Sequence, residues 1–345
     1  MRSNTARRLG SIVAAGAAIA LLSACAASGG TGGAPDADSA DADTGAPEKS
    51  TLTVAINPST QFAPLYYGIE SGIFEEHGLE LEIVPQTDIA AIVSGLASGT
   101  YDVGFATIVH VVTANANGIP IRAVTSIEGQ IQPDDEGTVT IASAESGITD
   151  FAGLEGARVA TVGLSSHNTL TMWELADRAG ADTASIELVQ LPFGQMAAAL
   201  ESGDVDAAIM QWPFAAEALA AGGVELGYNN RELFTDTATT LFNMSQSFID
   251  QNPNTVRAFA DAMSESIVGA TEDPDAAKAA LVDGMGITAE QAANARWNIG
   301  GDPAVNLDAF EVARDLLVKF STDKAASAAL ENLDVTTVVW PGALE

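Results

Sequence analysis

Residues 163–169, Gly-Leu-Ser-Ser-His-Asn-Thr, bring hydroxyl, amide and imidazole groups together in one short turn. This turn follows a β-type run and precedes a helical pattern, so it should lie at the start of a helix. The first N–H groups of a helix lack intrahelical partners and carry a partial positive charge, which suits a carboxylate or a sulfonate. We therefore expect a ligand to contact Ser165, Ser166, His167 and Asn168. The alternative is that one hydroxyl simply caps the helix.

Five other turns that follow predicted strands also contain residues that could bind a small molecule. Aromatic side chains there could form flat apolar walls for an aromatic or heterocyclic solute, although such residues often pack in a core; they are Phe62, Tyr66, Phe193 and Trp212. Asp88 could pair with an amine, or it could cap the helix that begins at Ile89. The remaining polar candidates are Asn57, Gln61, Thr107 and Gln211.

None of these six turns contains Arg or Lys. An anionic solute would therefore depend on neutral donors and on helix ends, which contribute about 0.3–1 kcal/mol each. The residues leave two ligand classes open: a sulfonate- or carboxylate-type anion, and an aromatic or heterocyclic solute. His77 and His110 are expected to be structural.

The composition excludes several kinds of site. The 345 residues include 46 Asp and Glu but only 14 Lys and Arg, a formal charge of −32, so a basic surface for nucleic acid is excluded. One Cys excludes an intrachain disulfide, and three His make a histidine-rich metal site implausible. We expect no cofactor, no metal and no nucleic-acid partner. A chain of this length that is 47% hydrophobic should form about two domains.

The first residues have the pattern of an export signal. Arg2, Arg7 and Arg8 precede an apolar run at residues 11–22, as in a secretory signal peptide. The following Leu22-Ser-Ala-Cys25 resembles the lipobox of bacterial lipoproteins. That resemblance implies a signal peptide at 1–24, lipidation of Cys25 with acyl chains such as palmitate, and extracytoplasmic anchoring to the cell membrane. The alternative is an ordinary secretory peptide with an incidental Cys.

Residues 25–49 are almost entirely Gly, Ala, Ser, Thr, Pro and acidic residues, so we predict a disordered acidic tether that ends where the folded body begins, near Ser50. In the body, hydrophobic periodicity predicts strands alternating with helices over 51–127 and again over 158–227, followed by helices over 253–333. This pattern is typical of an α/β fold with mostly parallel sheets flanked by helices. Binding loops at the carboxyl ends of the strands should then face each other across a cleft.

Two short motifs recur in both halves. We predict that helices end at Gly99 and Gly203, each with a positive φ. We also predict that strands begin at Asp102 and Asp206 and that these two side chains form hydrogen bonds with the backbone.

These motifs support a family resemblance. Ala63-Pro-Leu-Tyr-Tyr-Gly-Ile-Glu-Ser-Gly-Ile-Phe74 resembles the opening of solute-binding proteins of the nitrate/sulfonate/taurine and thiamine-precursor type. Gly95-Leu-Ala-Ser-Gly-Thr-Tyr-Asp-Val-Gly104 and Ala197-Ala-Ala-Leu-Glu-Ser-Gly-Asp-Val-Asp-Ala207 resemble two later segments of the same family. The resemblance runs from about residue 51 to about residue 260.

The resemblance implies a two-lobed type II periplasmic-binding-protein fold with mixed sheets. Lobe I would comprise 50–138 plus 243–345 and lobe II 139–242, with hinge strands near 139–141 and 240–243. It further implies a monomeric, non-enzymatic receptor that delivers a small solute to the permease and ATPase of an ABC importer. Two alternatives remain: a pyrimidine-synthesising enzyme of the same fold, which would need a reactive Lys, a donor His and a Cys-rich iron motif, or a surface adhesin with a degenerate cleft.

One departure from the family pattern bears on the ligand. Many relatives have Glu-Pro-Phe where this chain has Trp212-Pro213-Phe214. The change removes a carboxylate that could meet a cationic group and supplies a surface for stacking.

Overall fold

A computed structural model describes residues 45–131, 137–164, 166–212, 214–234, 236–293, 295 and 303–344. The predicted signal peptide, Cys25, most of the tether and Ser165 lie outside the described residues. None of the helices in these ranges is both long enough and apolar enough to cross a membrane.

The strands alternate with helices in the order that the periodicity predicts. The strands of the described residues are β1 (Thr51–Ile56), β2 (Glu80–Pro85), β3 (Val103–Thr107), β4 (Ile121–Ser126), β5 (Thr138–Ala142), β6 (Arg158–Thr161), β7 (Glu187–Gln190), β8 (Ala207–Gln211), β9 (Val224–Tyr228) and β10 (Thr240–Ser245).

The helices of the first 234 residues connect these strands, and the remaining ones follow β10. They are α1 (Ala63–Glu70), α2 (Ile73–Glu76), α3 (Ile89–Ser98), α4 (Ile108–Ala116), α5 (His167–Arg178), α6 (Phe193–Glu201), α7 (Phe214–Ala220), α8 (Asn229–Phe234), α9 (Gln246–Gln251), α10 (Pro253–Glu272), α11 (Pro274–Met285), α12 (Ala289–Ala293), α13 (Leu307–Phe320) and α14 (Lys324–Glu331).

The strands form two five-stranded sheets of equivalent topology, and each sheet is the centre of one lobe. The first sheet has the order β2-β1-β3-β10-β4 and the second has the order β7-β6-β8-β5-β9. In each sheet the first three strands are parallel, and the fourth strand in the order is antiparallel to both of its neighbours. The predicted α/β fold with two mixed, mostly parallel sheets is confirmed.

The two antiparallel strands adjoin the points where the chain passes between the lobes. It leaves the first sheet after β4, enters the second at β5, and returns after β9 to enter the first at β10. Both segments proposed as hinges, 139–141 and 240–243, therefore belong to these strands. β10 lies wholly in the first sheet, so the predicted boundary at 242–243 falls inside a strand; the lobe limits remain a prediction.

The described residues form three apolar clusters, and the largest of them also includes Leu170 of α5 and Phe234 of α8. In the first lobe, one large apolar cluster includes Leu52, Phe105, Phe242, Phe259 and Phe310. In the second, one cluster lies on each face of the sheet, with Ile141, Met196 and Met210 in the first and Val159, Met172 and Ile209 in the second.

The recurring motifs have the predicted local roles. Gly99 and Gly203 follow α3 and α6, each with φ of 72°, a conformation that costs a residue with a Cβ about 1–2 kcal/mol. At the amino end of β3, Asp102 accepts a hydrogen bond from the Thr53 N–H at 2.8 Å. At the equivalent position of β8, Asp206 accepts from the Arg158 N–H at 2.8 Å.

Residues of the predicted tether already make contacts with the folded body. Glu48 accepts hydrogen bonds from the Asn254 and Thr255 N–H groups at the start of α10 (3.1 and 2.9 Å). Lys49 forms an ion pair with Asp102 at 2.7 Å. These two residues therefore close the amino end of the first lobe instead of continuing the tether.

Candidate functional site

The candidate turns follow the carboxyl ends of the parallel strands. These ends lie where the chain crosses between the lobes. In the first sheet, the start of β10 at Thr240 pairs with the end of β3 at Thr107. In the second sheet, the start of β5 at Thr138 pairs with the end of β8 at Gln211. Because both antiparallel strands begin at the carboxyl edge of their parallel neighbours, the crossovers and the candidate turns share one region.

His167 is the central buried polar residue of this region. It is the first residue of α5, after Ser166, whose hydroxyl accepts a hydrogen bond from the Thr169 N–H at 3.2 Å and so caps the helix. The His167 imidazole is 6% exposed, and its ring lies 5.0 Å from that of Phe234. Nε2 is hydrogen-bonded to Oδ1 of Asn230 at 3.0 Å, whereas Nδ1 has no partner among the described residues.

Burial keeps this imidazole uncharged. Burial lowers the pKa of His167 from 6.5 to about 4; the hydrogen bond to Asn230 opposes that shift, and the nearby His110 adds to it. At neutral pH His167 is therefore a neutral ring with one N–H and one acceptor nitrogen.

Two adjacent asparagines tie this helix start to the second sheet. Asn229 accepts a hydrogen bond from the Thr140 hydroxyl in β5 at 2.7 Å and donates to the Asn168 carbonyl at 3.3 Å. Oδ1 of Asn230 is hydrogen-bonded to Nε2 of His167. Sequence reasoning missed both residues; the available signal was a pair of asparagines directly after a strand, a position that favours local polar bonding.

His110 is a residue of the first lobe that lies near His167. It lies in the first turn of α4, and its Nδ1 is hydrogen-bonded to the Thr107 hydroxyl at 2.8 Å. Burial lowers the pKa of His110, and the Asp88 carboxylate opposes that shift. Because His110 also affects the pKa of His167, the two imidazoles of different lobes are electrostatic neighbours. Sequence reasoning treated His110 as structural and could not have found this proximity.

An apolar surface lies at the carboxyl edge of the second sheet. The rings of Phe193 and Phe214 are stacked, with centroids 5.9 Å apart and an interplanar angle of 18°. Phe214 is 38% exposed, and Leu164, after β6, is 48% exposed. Trp212 packs with Phe193 against the core beneath. A flat ring could extend this stack.

Several predicted ligand residues have contacts within the protein. Phe62 is fully buried, with its ring 5.5 Å from that of Phe105 and 6.0 Å from that of Phe242. Tyr66 is 7% exposed, packs in the first-lobe core, and burial raises the pKa of its hydroxyl. Asp88 caps α3 by accepting from the Ala90 N–H at 2.9 Å.

The remaining predicted residues lie at strand ends. Asn57 directly follows β1, and its buried side-chain oxygen has no partner among the described residues. Gln61 belongs to a short 3-10 turn before α1. Gln211 ends β8 and donates a long hydrogen bond to the Thr138 hydroxyl at 3.4 Å. Within the described residues there is no group of three or more His, Cys, Asp or Glu side chains arranged to hold a metal.

α5 also contacts helix α13 of the first lobe. Lys319 of α13 forms ion pairs with Glu174 and Asp177 of α5 at 2.6 and 2.7 Å. Next to them, the rings of Trp173 and Phe320 lie 5.5 Å apart. The helix that begins at His167 is thus held by both lobes.

Comparison with known proteins gives one family and several relatives. The family model described as NMT1/THI5 like matches residues 59–277. Riboflavin-binding protein RibY of Chloroflexus aurantiacus is 24% identical over 263 residues, covering 75% of this chain and 73% of RibY. The 4-amino-5-hydroxymethyl-2-methylpyrimidine phosphate synthase THI5 of Saccharomyces cerevisiae is 26% identical over 241 residues, covering 66% and 68%.

Solved structures share the fold at low identity. The periplasmic aliphatic sulphonate binding protein SsuA from Escherichia coli superposes with a TM-score of 0.68 at 17% identity, covering 86% of this chain and 99% of SsuA. The periplasmic nitrate-binding protein NrtA from Synechocystis PCC 6803 superposes with a TM-score of 0.61 at 15% identity, covering 85% and 88%.

Proposed function

This chain belongs to the NMT1/THI5-like family, and on that premise we propose that it is an extracytoplasmic solute-binding protein of an ABC importer. It captures a small organic solute between its two lobes and delivers it to the permease and ATPase. One observation carries this proposal: the buried His167 and the half-buried His110 lie in the first turns of α5 and α4, at the carboxyl edges of the two sheets, where the chain crosses between the lobes. Ligands of open α/β sheets bind at such carboxyl edges.

The chemistry of the site favours a flat heterocyclic solute over a simple anion. The stacked Phe193 and Phe214 offer an aromatic surface, and His167 is uncharged at neutral pH. The six candidate turns contain no Arg or Lys that would neutralise a sulfonate or nitrate. The names of RibY and THI5 point the same way, since riboflavin and the pyrimidine are both planar heterocycles.

Binding can be measured by calorimetry and thermal shift with riboflavin, 4-amino-5-hydroxymethyl-2-methylpyrimidine, methanesulfonate and nitrate. We expect a heterocycle to bind and to raise the melting temperature. Phe214→Ala should weaken that binding about 5- to 150-fold, since stacking on an aromatic side chain contributes about 1–3 kcal/mol. Val268→Ala is the matched control, because Val268 is an exposed apolar residue of α10, 48% exposed. Absence of binding by all four compounds would refute the proposed role.

Membrane attachment belongs to the same proposal. Leu22-Ser-Ala-Cys25 supports lipidation of Cys25, and two or three acyl chains suffice for stable anchoring. In a bacterial host, radiolabelled palmitate should be incorporated into the wild-type chain but not into Cys25→Ala. Release of both forms into the soluble fraction would argue against an anchor.

The alternative with support among the relatives is pyrimidine synthesis, because THI5 is named as a synthase. Mass spectrometry of the protein after incubation with each solute separates the two roles. Recovery of unchanged solute supports capture, and a solute recovered in a chemically altered form would support catalysis.

A further inference from the structure

The hydrogen bond between His167 and Asn230 fixes the position of the imidazole proton. Oδ1 of Asn230 can only accept, and it lies 3.0 Å from Nε2 of His167. Nε2 must therefore donate. In the neutral ring, the other nitrogen, Nδ1, then has a lone pair and no hydrogen.

This lone pair is buried and lacks a partner among the described residues. Buried acceptors in folded proteins are almost always satisfied, so one left open at a binding region indicates a missing donor. Among the described residues, the contacts around the ring supply no donor, because Phe234 is apolar and Asn230 is bound at the opposite nitrogen. His110, the other nearby ring, is hydrogen-bonded to Thr107 through Nδ1.

The start of α5 offers groups of the opposite kind beside this acceptor. The Ser166 hydroxyl accepts a hydrogen bond from the Thr169 N–H. The N–H groups of His167 and Asn168 also lie in the first turn of the helix, where no intrahelical carbonyl can accept from them. A solute here would meet donors from the helix backbone and an acceptor from His167.

We infer that the solute has two adjacent polar groups; this inference rests on the proposed binding role. One is an N–H or O–H that donates to Nδ1 of His167, and the other is an acceptor that bonds to the backbone N–H groups at the start of α5. Such an edge occurs in imides and aminopyrimidines. Nitrate and simple alkylsulfonates lack the donor and are poor ligands. Asn230 is then a positioning residue, because it sets which nitrogen of His167 faces the solute as acceptor.

The position of the proton can be observed without any ligand. Nitrogen-15 NMR of the full chain labelled at histidine distinguishes a protonated from an unprotonated ring nitrogen, and the spectrum of His167→Gln assigns the signals. We expect the hydrogen on Nε2 at pH 7.5. A hydrogen on Nδ1, or a charged ring, would overturn the inference.

Matched ligands test the donor. Riboflavin and 3-methylriboflavin differ at one ring N–H, and we expect the methylated form to bind wild-type protein at least about tenfold more weakly. In His167→Phe, which keeps a flat ring but has no acceptor, the two forms should bind within about twofold of each other. Equal binding of both forms to the wild-type protein would overturn the inference.

A third comparison tests Asn230. A carboxylate accepts as Oδ1 does, so Asn230→Asp at pH 8.5 should retain riboflavin binding within about threefold, whereas Asn230→Leu should lose about tenfold or more. Melting temperatures identify a variant that fails to fold. If Asn230→Leu folds and binds as wild type does, Asn230 has no positioning role.

The outcomes separate this inference from the proposed function. Strong binding of methanesulfonate or nitrate, with weak binding of riboflavin and the aminopyrimidine, would leave solute binding intact and overturn the donor requirement. If none of these probes binds, the proposed function fails and the inference fails with it.

Discussion

Because the imidazole of His167 at the candidate site is buried and neutral, the free energy of unfolding of the protein depends on pH. Burial lowers the pKa of His167 to about 4 in the folded protein, whereas an imidazole in the unfolded chain has a pKa of about 6.5. Between pH 4 and pH 6.5 the unfolded chain therefore binds the proton more readily. The stabilisation is complete above pH 6.5 and is lost as the pH falls towards 4. Asp88, which opposes the shift at His110, and His110 itself are the titratable neighbours.

We predict that the free energy of unfolding of the wild type falls relative to His167→Gln by about 3 kcal/mol between pH 7.5 and pH 4. The physical reason is that only the wild type has a buried ring whose protonation the folded state resists. Urea unfolding at several pH values measures the difference. His77→Gln is the control, since His77 lies on the surface beside Glu265, outside the site. A constant difference across this pH range would contradict the assigned burial.

At the level of single strands, both lobes use an aspartate side chain to link two adjacent parallel strands. Asp102 and Asp206 each accept a backbone N–H of the adjacent strand, at the edge opposite the candidate site. Asp102 is 8% exposed and paired with Lys49, whereas the Asp206 side chain is 35% exposed. The same local motif is therefore buried more deeply in the first lobe.

We predict that Asp102→Ala lowers the free energy of unfolding by about 2–3 kcal/mol, because the Thr53 N–H loses its side-chain acceptor in a buried position. Asp206→Ala, in the more exposed copy, should cost about 1 kcal/mol. Chemical denaturation measures both, and calorimetry should give unchanged solute affinity because neither residue is near the site. Equal costs would indicate that burial does not govern this contact.

At the level of helix packing, the ion pairs of Lys319 connect α13 of the first lobe to α5 of the second. Glu174 is only 10% exposed, so loss of Lys319 leaves a poorly solvated carboxylate with Arg178 as its remaining partner. We predict that Lys319→Met lowers the free energy of unfolding by about 1–2 kcal/mol, and less at high salt. Lys324→Met, at the start of α14, is the surface control. A cost no greater than that of the control would show that the link between these helices contributes nothing.

For the whole molecule, the proposed function requires a solute to contact both lobes at once. A ligand shifts a conformational equilibrium only through contacts that favour one state. We predict that riboflavin slows hydrogen exchange in the first turns of α4 and α5 together, since His110 and His167 lie in those turns. Exchange in α14 serves as the internal control. Protection confined to one lobe would contradict a shared site.

Short-range physics explains which features were predictable from the sequence. Helix and strand periods, the positive φ at Gly99 and Gly203, and the cap at Asp88 depend on neighbours within a few residues. The α/β fold followed from the alternation of these elements. The antiparallel placement of β5 and β10 inside the sheets did not, because strand pairing depends on residues far apart in the chain.

The environment of each side chain was decided by the tertiary structure. Phe62 and Tyr66 have the residue types of a ligand wall but lie in a core, because Phe62 packs against Phe105 and Phe242 of the sheet, while α10 and α11 pack over the helix that contains Tyr66. His167 was a candidate from its position in a turn. Its neutral state and its approach to His110 arise only when segments more than fifty residues apart exclude water from one place, since burial and distant partners set the charge of an imidazole.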